Sequence, residues 1–226
     1  MRSWTYTELK QIVLNDLDLE DEDFISATEM LAYFNAGIDM VEAIIHNLYE
    51  DYFLEPTALA LVNGTQDYNF PSTMYAHRVR KILYDNGSNK YEIRKIKRLG
   101  QIPDIQTGDN YRWLPIDTAA SGKKIRLYPT SAETSSTNVI IWHIRNAKVL
   151  ALDADVCDIP EFADVVVQFV KVRCYEKEGH PNTSKAMDDL RMMVTLMEAT
   201  LTKMVDDEND ELMEEDYSFY DDFDQS

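Results

Sequence analysis

The sequence predicts an α+β protein: a four-helix bundle, made of two N-terminal and two C-terminal helices, with an inserted antiparallel β-sandwich or barrel domain and an extended acidic C-terminal tail. Three observations predict it. Apolar residues recur at helical spacing at both ends of the chain, and short β-branched and aromatic runs between turn signals fill the middle. The last 21 residues hold eleven acids and no base. A chain of 226 residues, 45% of them hydrophobic, can bury one good core or two small ones. Its 7 Gly and 7 Pro are too few for a low-complexity protein.

Residues 1–55 read as the N-terminal helix pair. Thr5-Tyr6-Thr7-Glu8 is a capping box, with Trp4 and Leu9 at the two positions of a hydrophobic staple. Leu9, Ile12, Val13 and Leu17 line one face. After the acidic loop Asp18–Asp23 the device repeats, with Ser26 and Glu29 as the box and Ile25 and Met30 as the staple. Leu31, Phe34, Ile38, Val41, Ile45 and Leu48 then form an unbroken apolar stripe.

Residues 56–150 read as the β domain. Asn63-Gly64 between 58–62 and 66–70 predicts a hairpin, as does Asn86-Gly87 between 79–84 and 91–96. Lys123–Tyr128 and Val139–Arg145 are expected to pair, joined by the polar loop Thr130–Asn138. Leu99–Leu114, with Gly100, Pro103 and Gly108, is expected to be an irregular excursion. Residues 151–205 return to helix. Asp158 and Glu161 can box the start, and the run Phe162–Tyr175 is apolar on most faces, as in a central helix. Gly179 and Pro181 stop it, and Leu190, Val194, Met197, Leu201 and Met204 line the last helix. Residues 206–226 are the tail, expected to be disordered until docked.

The net charge of −19 is uneven, since residues 1–205 carry 30 acids against 22 bases, or −8. A chain this acidic repels nucleic acid, which excludes sequence-specific DNA reading. No apolar run approaches a membrane span. The opening MRSWTYTEL has no apolar stretch of the secretory type, so assembly in a cytoplasm is expected. Cys157 and Cys174 have no metal or disulfide spacing and read as small buried residues.

Chemistry is sparse. The phosphate-cradling, zinc-protease and nucleophile-elbow motifs are missing, so neither an enzyme nor a cofactor is expected. Asp153, Asp155 and Asp158 lack the glycine and closing Glu of a calcium loop and read as capping and solvation. His46, His77, His143 and His180 share no face. Asn-x-Ser/Thr triplets at Asn63, Asn86 and Asn182 read as turn and cap chemistry.

Two charge features remain as candidate sites. The basic residues Arg78, Arg80, Lys81, Lys90, Arg94, Lys95, Lys97 and Arg98 face only Asp85 and Glu92 in the same stretch. They form either the solvated face of a hairpin or a contact surface for an acidic neighbour, whether another subunit or passing DNA. The tail interleaves its acids with Leu212, Met213, Tyr217, Phe219, Tyr220 and Phe223. Aromatic anchors among acids suit docking onto a partner better than solvation alone.

The order of these elements resembles the head-to-tail adaptor, or connector, proteins of tailed bacteriophages, in particular those of the short-tailed type. The resemblance covers most of residues 1–205. It lies in the helix pair, Asn63-Gly64 with Tyr68-Asn-Phe70-Pro71, and Ile125-Arg-Leu-Tyr128-Pro129. Asp153-x-Asp155, Ile159-Pro160-Glu161 and Tyr175-x-x-Glu178-Gly179 complete it. It implies a structural virion protein of the head-tail junction: a homo-oligomeric ring, commonly dodecameric, beneath the portal protein. The helices and C-terminal extension would hold the portal and neighbouring copies, and the β domain would face the next tail or nozzle protein. DNA would pass through the lumen without sequence recognition, and no membrane is involved. Another neck or tail ring component, such as a completion or terminator protein, is the alternative, followed by a soluble ligand-binding module.

Overall fold

The computed structural model describes residues 3–18, 24–98, 100, 102, 110–119 and 122–218, without the side chains of 118 and 206–218. Its contacts divide the chain into two units, Met1–Tyr52 with Ala147–Ser226, and Phe53–Asn146.

The first unit is helical. Both capping boxes form. The Glu8 carboxylate accepts from the Thr5 N–H at 2.8 Å and starts α1 (Tyr6–Asp16). Glu29 does the same for Ser26 at 3.0 Å and starts α2 (Ala27–Leu48). Each box satisfies two amide donors that a helix start leaves orphaned. Phe34, Ile38, Val41 and Ile45 of the predicted stripe are buried, while Leu48 is exposed and Met30 takes the place expected of Leu31. Tyr6 of α1 meets Phe34 edge-on, ring centroids 5.4 Å apart. A Cβ on Gly37 of α2 would stand 3.1 Å from both Val166 and Phe169, so glycine permits a close approach of α2 to the helix α3 (Ala163–Glu178).

Helix α3 buries Val165, Val166, Val167, Val170, Val172 and Cys174, residues that point to several faces. It is a hub. Helices α1, α2 and α4 (Thr183–Ser218) each pack against it, and α2 also touches α4. Gly179, at φ +70, ends α3 as expected, with the His180 N–H donating to Tyr175 O at 3.0 Å. Asp158 does not box the start. A 3-10 turn at Pro160–Phe162 leads into the helix, and the Asp158 carboxylate accepts from the Lys148 N–H at 2.8 Å instead. The last helix does not stop at Val205 but carries the backbone of the tail as far as Ser218.

Among the described residues, the second unit holds eight strands in two four-stranded sheets, ordered β1-β8-β3-β4 and β2-β7-β6-β5. These are β1 (Leu54–Leu61), β2 (Asp67–Asn69), β3 (Met74–Asp85), β4 (Lys90–Glu92), β5 (Arg94–Lys95), β6 (Arg112–Thr118), β7 (Gly122–Tyr128) and β8 (Ser135–Arg145). Leu61, Ile82, Ile93, Ile125, Leu127, Val139 and Ile141 fill the core of the unit.

The expected hairpins fare unequally. Asn86-Gly87 joins β3 to β4, with Tyr84 opposite Tyr91. Asn63-Gly64 joins no hairpin: β1 pairs with β8 and β2 with β7, so this turn is a corner between sheets. Gly64 sits there at φ +78, its N–H donating to Ser131 O at 2.8 Å, a conformation natural to glycine. Lys123–Tyr128 and Val139–Arg145 are not partners either, since they form β7 and β8 of different sheets. Within the expected excursion, Arg112–Leu114 open β6, while Pro103 and Gly108 lie outside the described residues.

These findings correct the fold class. The described residues form four helices and two strand-rich sheets, not a four-helix bundle with an inserted antiparallel sandwich or barrel. A bundle needs four comparable helices sharing one axis-lining core. Here α1 has 11 residues, α4 has 36, and the many-sided apolar surface of α3 gathers the others round itself. The sheets are not wholly antiparallel, because β5 runs parallel to β6.

Candidate functional site

Opposite charge separates the two units. The helical unit has 9 Lys and Arg against 33 Asp and Glu, a formal −24, whereas the β unit has 13 against 8, or +5. Most of the basic excess lies in the stretch singled out in the sequence. Arg78, Arg80 and Lys81 lie on β3, Lys90 on β4, Arg94 and Lys95 on β5, and Lys97 and Arg98 in the coil beyond. The set is therefore not one hairpin: β5 belongs to the other sheet. All but the half-buried Arg78 are exposed. Lys90 pairs with Asp85 at 3.2 Å, and Arg78 lies over Tyr75 with 5.5 Å to the ring centroid. Lys81, Arg94, Lys97 and Arg98 make no ion pair with a described residue.

Beside this surface, β3 leaves its register. Four residues, Tyr75–Arg78, stand against the lone Ile144 of β8. Ala76 and His77 both take positive φ, at 45° and 58°. Two consecutive non-glycine residues in the left-handed region hold a strained backbone. The bulge turns the exposed His77 ring edge-on to Phe70, centroids 5.0 Å apart. The β5–β6 pairing places Lys95 opposite Trp113, its Nζ 5.4 Å from the ring centroid. Further along, β6 and β7 set Asp117 opposite Lys123. Together these residues line a cleft of about 390 Å³ with an apolar floor of Phe70, Trp113 and Ile116. The basic residues were legible from sequence; the cleft was not, since its walls come from four strands and from Phe70, just past the end of β2. The adjacent His77 and Lys95 carried no local signal for it.

A larger cleft of about 860 Å³ lies by Tyr84, Tyr91 and Tyr111. The Tyr84 hydroxyl donates to Glu133 at 2.7 Å, and burial, then that carboxylate, pushes its pKa up to about 12. A phenol so held stays protonated and is a structural donor. The other three histidines are also in structural surroundings. His46 Nε2 lies 3.1 Å from Glu42, buried His143 lies 2.9 Å from Thr57 Oγ1, and His180 stacks on Tyr175.

Asp153 and Asp155 anchor α1. Their carbonyls accept from the Thr7 and Tyr6 N–H groups, while the Asp155 carboxylate receives the Leu152 and Ala151 N–H groups at 2.8 Å. Those amides, with Lys148 nearby, hold its pKa below the usual carboxylate range. Among the described residues no group of three His, Cys, Asp or Glu is placed to hold a metal ion. Cys157 and Cys174 are buried and unbonded to each other, and burial pushes the Cys174 thiol up to about 11. No helix of the described residues is long and apolar enough to cross a membrane.

Of the tail residues, Leu212, Met213 and Tyr217 fall on α4, and Phe219, Tyr220 and Phe223 lie outside the described residues. The sequence reading passed over Met192 and Leu196, both largely exposed on α4. Their spacing of four, off the buried line of Leu190, Met197 and Leu201, is the signal that marks a second apolar stripe.

The family model of the SU10 adaptor protein matches residues 4–215, which span both units. No curated protein matches the chain.

Proposed function

The chain belongs to the SU10 adaptor protein family, a bacteriophage structural adaptor, and from that premise we propose that it is a non-enzymatic ring subunit joining the portal of a short-tailed phage to its tail. The observation that carries the reading is the extent of the family match, which takes in both units except the first three and the last eleven residues. Copies close into a ring, the helical unit and tail hold the portal and neighbouring copies, and the β unit meets the next tail protein. DNA crosses the lumen without base contacts. The −24 of the helical unit supports this, because negative walls do not retain a passing polyanion. Residues 206–226 dock through their aromatic groups, and the basic residues from Arg78 to Arg98 meet an acidic neighbour.

The excess charge also bears on assembly. Copies that repel one another stay monomeric or weakly associated until a portal supplies complementary contacts. Electron microscopy of the protein with portal tests the reading: rings should decorate the portal. Failure to bind portal sinks the proposal. A stable ring at micromolar concentration without portal, seen by light scattering, would refute templated assembly alone.

A further inference from the structure

We propose that the cleft at the Ala76–His77 bulge is the receptor for the acidic, aromatic C-terminal segment, residues 206–226, of a second copy of this chain. The inference rests on the reading of that segment as a docking element and supplies its partner.

The cleft has the chemistry the segment needs. Its floor is apolar and aromatic, formed by Phe70, Trp113 and Ile116, and its volume of about 390 Å³ admits an aromatic side chain with the backbone beside it. Its exposed cations, Lys95 and Lys123, flank that floor, with Asp117 the one acid among the described residues of the lining. In the segment, every ring has a carboxylate within two residues. Tyr217 follows Asp216, Phe219 and Tyr220 precede Asp221, and Phe223 lies between Asp222 and Asp224. A ring entering the floor therefore brings an acid to the rim. The wider charges agree: the β unit carries +5, and the segment has eleven acids and no base. Such complementarity steers the encounter, while burial of the ring holds it. Duplex DNA is attracted by the same lysines, but its bases are stacked within the helix and leave the aromatic floor unfilled.

Helix α4 carries the start of the segment beyond its own core contacts, where a second copy can take it up. Leu201 is its last buried side chain among those described, yet the helix runs 17 residues further, to Ser218. At 1.5 Å per residue its backbone runs roughly 25 Å past that last core contact. The bulge helps to shape the cleft: Ala76 and His77, both at positive φ, line it with the His77 ring edge-on to Phe70, a conformation that costs stability and persists only where its surroundings impose it.

A fluorescently labelled peptide of residues 206–226, titrated with the full chain and read by anisotropy, should bind. The double variant Lys95→Glu, Lys123→Glu should weaken binding by about tenfold or more, as should a peptide with its four aromatics changed to Ser. Circular dichroism checks the fold of the double variant, with Lys123→Glu alone in reserve. The chain truncated after Val205 should bind the peptide as the full chain does. Much tighter binding by the truncated chain would mean that each cleft holds its own tail, and would overturn the assignment to a second copy. Unchanged binding after either set of substitutions, or no binding by either chain, overturns the cleft as receptor. If truncation after Val205 weakens portal binding while the cleft variants have no effect on peptide affinity, the docking tail stands and its receptor lies elsewhere.

Discussion

The two units solve the problem of burial under opposite electrostatic conditions. The helical unit gathers α1, α2 and α4 round α3 while carrying 33 acids against 9 bases. The β unit closes two sheets over one core with a small positive excess. The first unit must hold together against self-repulsion, and it does so through local clamps. Glu29 shows this: it closes the Ser26 capping box and also receives Lys177 Nζ from α3 at 2.8 and 2.9 Å. Lys171 of α3 pairs in the same way with Asp16 of α1. The hub helix thus supplies cations to the acidic ends of its neighbours. In the β unit the comparable pair, Arg126 on Asp67 at 2.5 and 2.6 Å, ties adjacent strands within a sheet and leaves most of the other bases outward. Each unit therefore places its few favourable charges differently: inward for cohesion in one, outward to the surface in the other.

That contrast can be broken by mutation, and the largest effects are expected in the cores. Phe34→Ala should cost the helical unit about 3–5 kcal/mol, and Ile125→Ala the β unit about 2–5 kcal/mol. Hydrogen exchange during denaturation will show which unit loses protection; equal loss in both would mean that they unfold as one. Ser26→Ala should cost about 1 kcal/mol through the lost cap. Gly64→Ala should cost the β unit a similar amount, about 1 kcal/mol, because alanine resists the positive φ of that corner. Urea titration resolves both, and no change in midpoint would show that neither local device matters.

Acid should then distinguish the clamps. The Lys177 ammonium, with the Ser26 groups, lowers the Glu29 pKa from an ordinary 4.5 to about 2. A carboxyl depressed in the fold adds stability that is complete above about 4.5 and is lost as pH falls toward 2. Glu29→Gln should therefore flatten the melting curve of the helical unit in that window and leave its slope above pH 5 unaltered. The Arg126 guanidinium likewise lowers Asp67, so Asp67→Asn should act on the β unit in the same sense. The smallest effect on melting is expected at the outward bases. Reversing Arg80, Arg94 and Lys97 together should shift stability by less than about 0.5 kcal/mol, yet hinder particle assembly. Normal assembly of that variant returns these residues to a solvated face.

Legibility follows from the range of the interactions. Both capping boxes, the middle of the α2 stripe, the Gly179 stop and the Asn86-Gly87 hairpin involve residues within about five positions, or one short turn, of one another. The sequence by itself determined them because propensity, caps and turn conformation act along the chain. So too with the basic and acidic aromatic stretches, which are matters of composition. Strand partnership was different. Lys123–Tyr128 and Val139–Arg145 have equally good strand patterns, and neither pattern states that one joins β6 and the other lies between β1 and β3. Partner choice is made when two sheets close over one core, coupling Leu54 to Ile144 across 90 residues. The tertiary structure alone likewise made α3 a hub rather than a bundle member, and opened the cleft at Ala76 and His77. An all-round apolar helix does not say how many neighbours it will take, and a bulge arises only when two strands of unequal length must share one register.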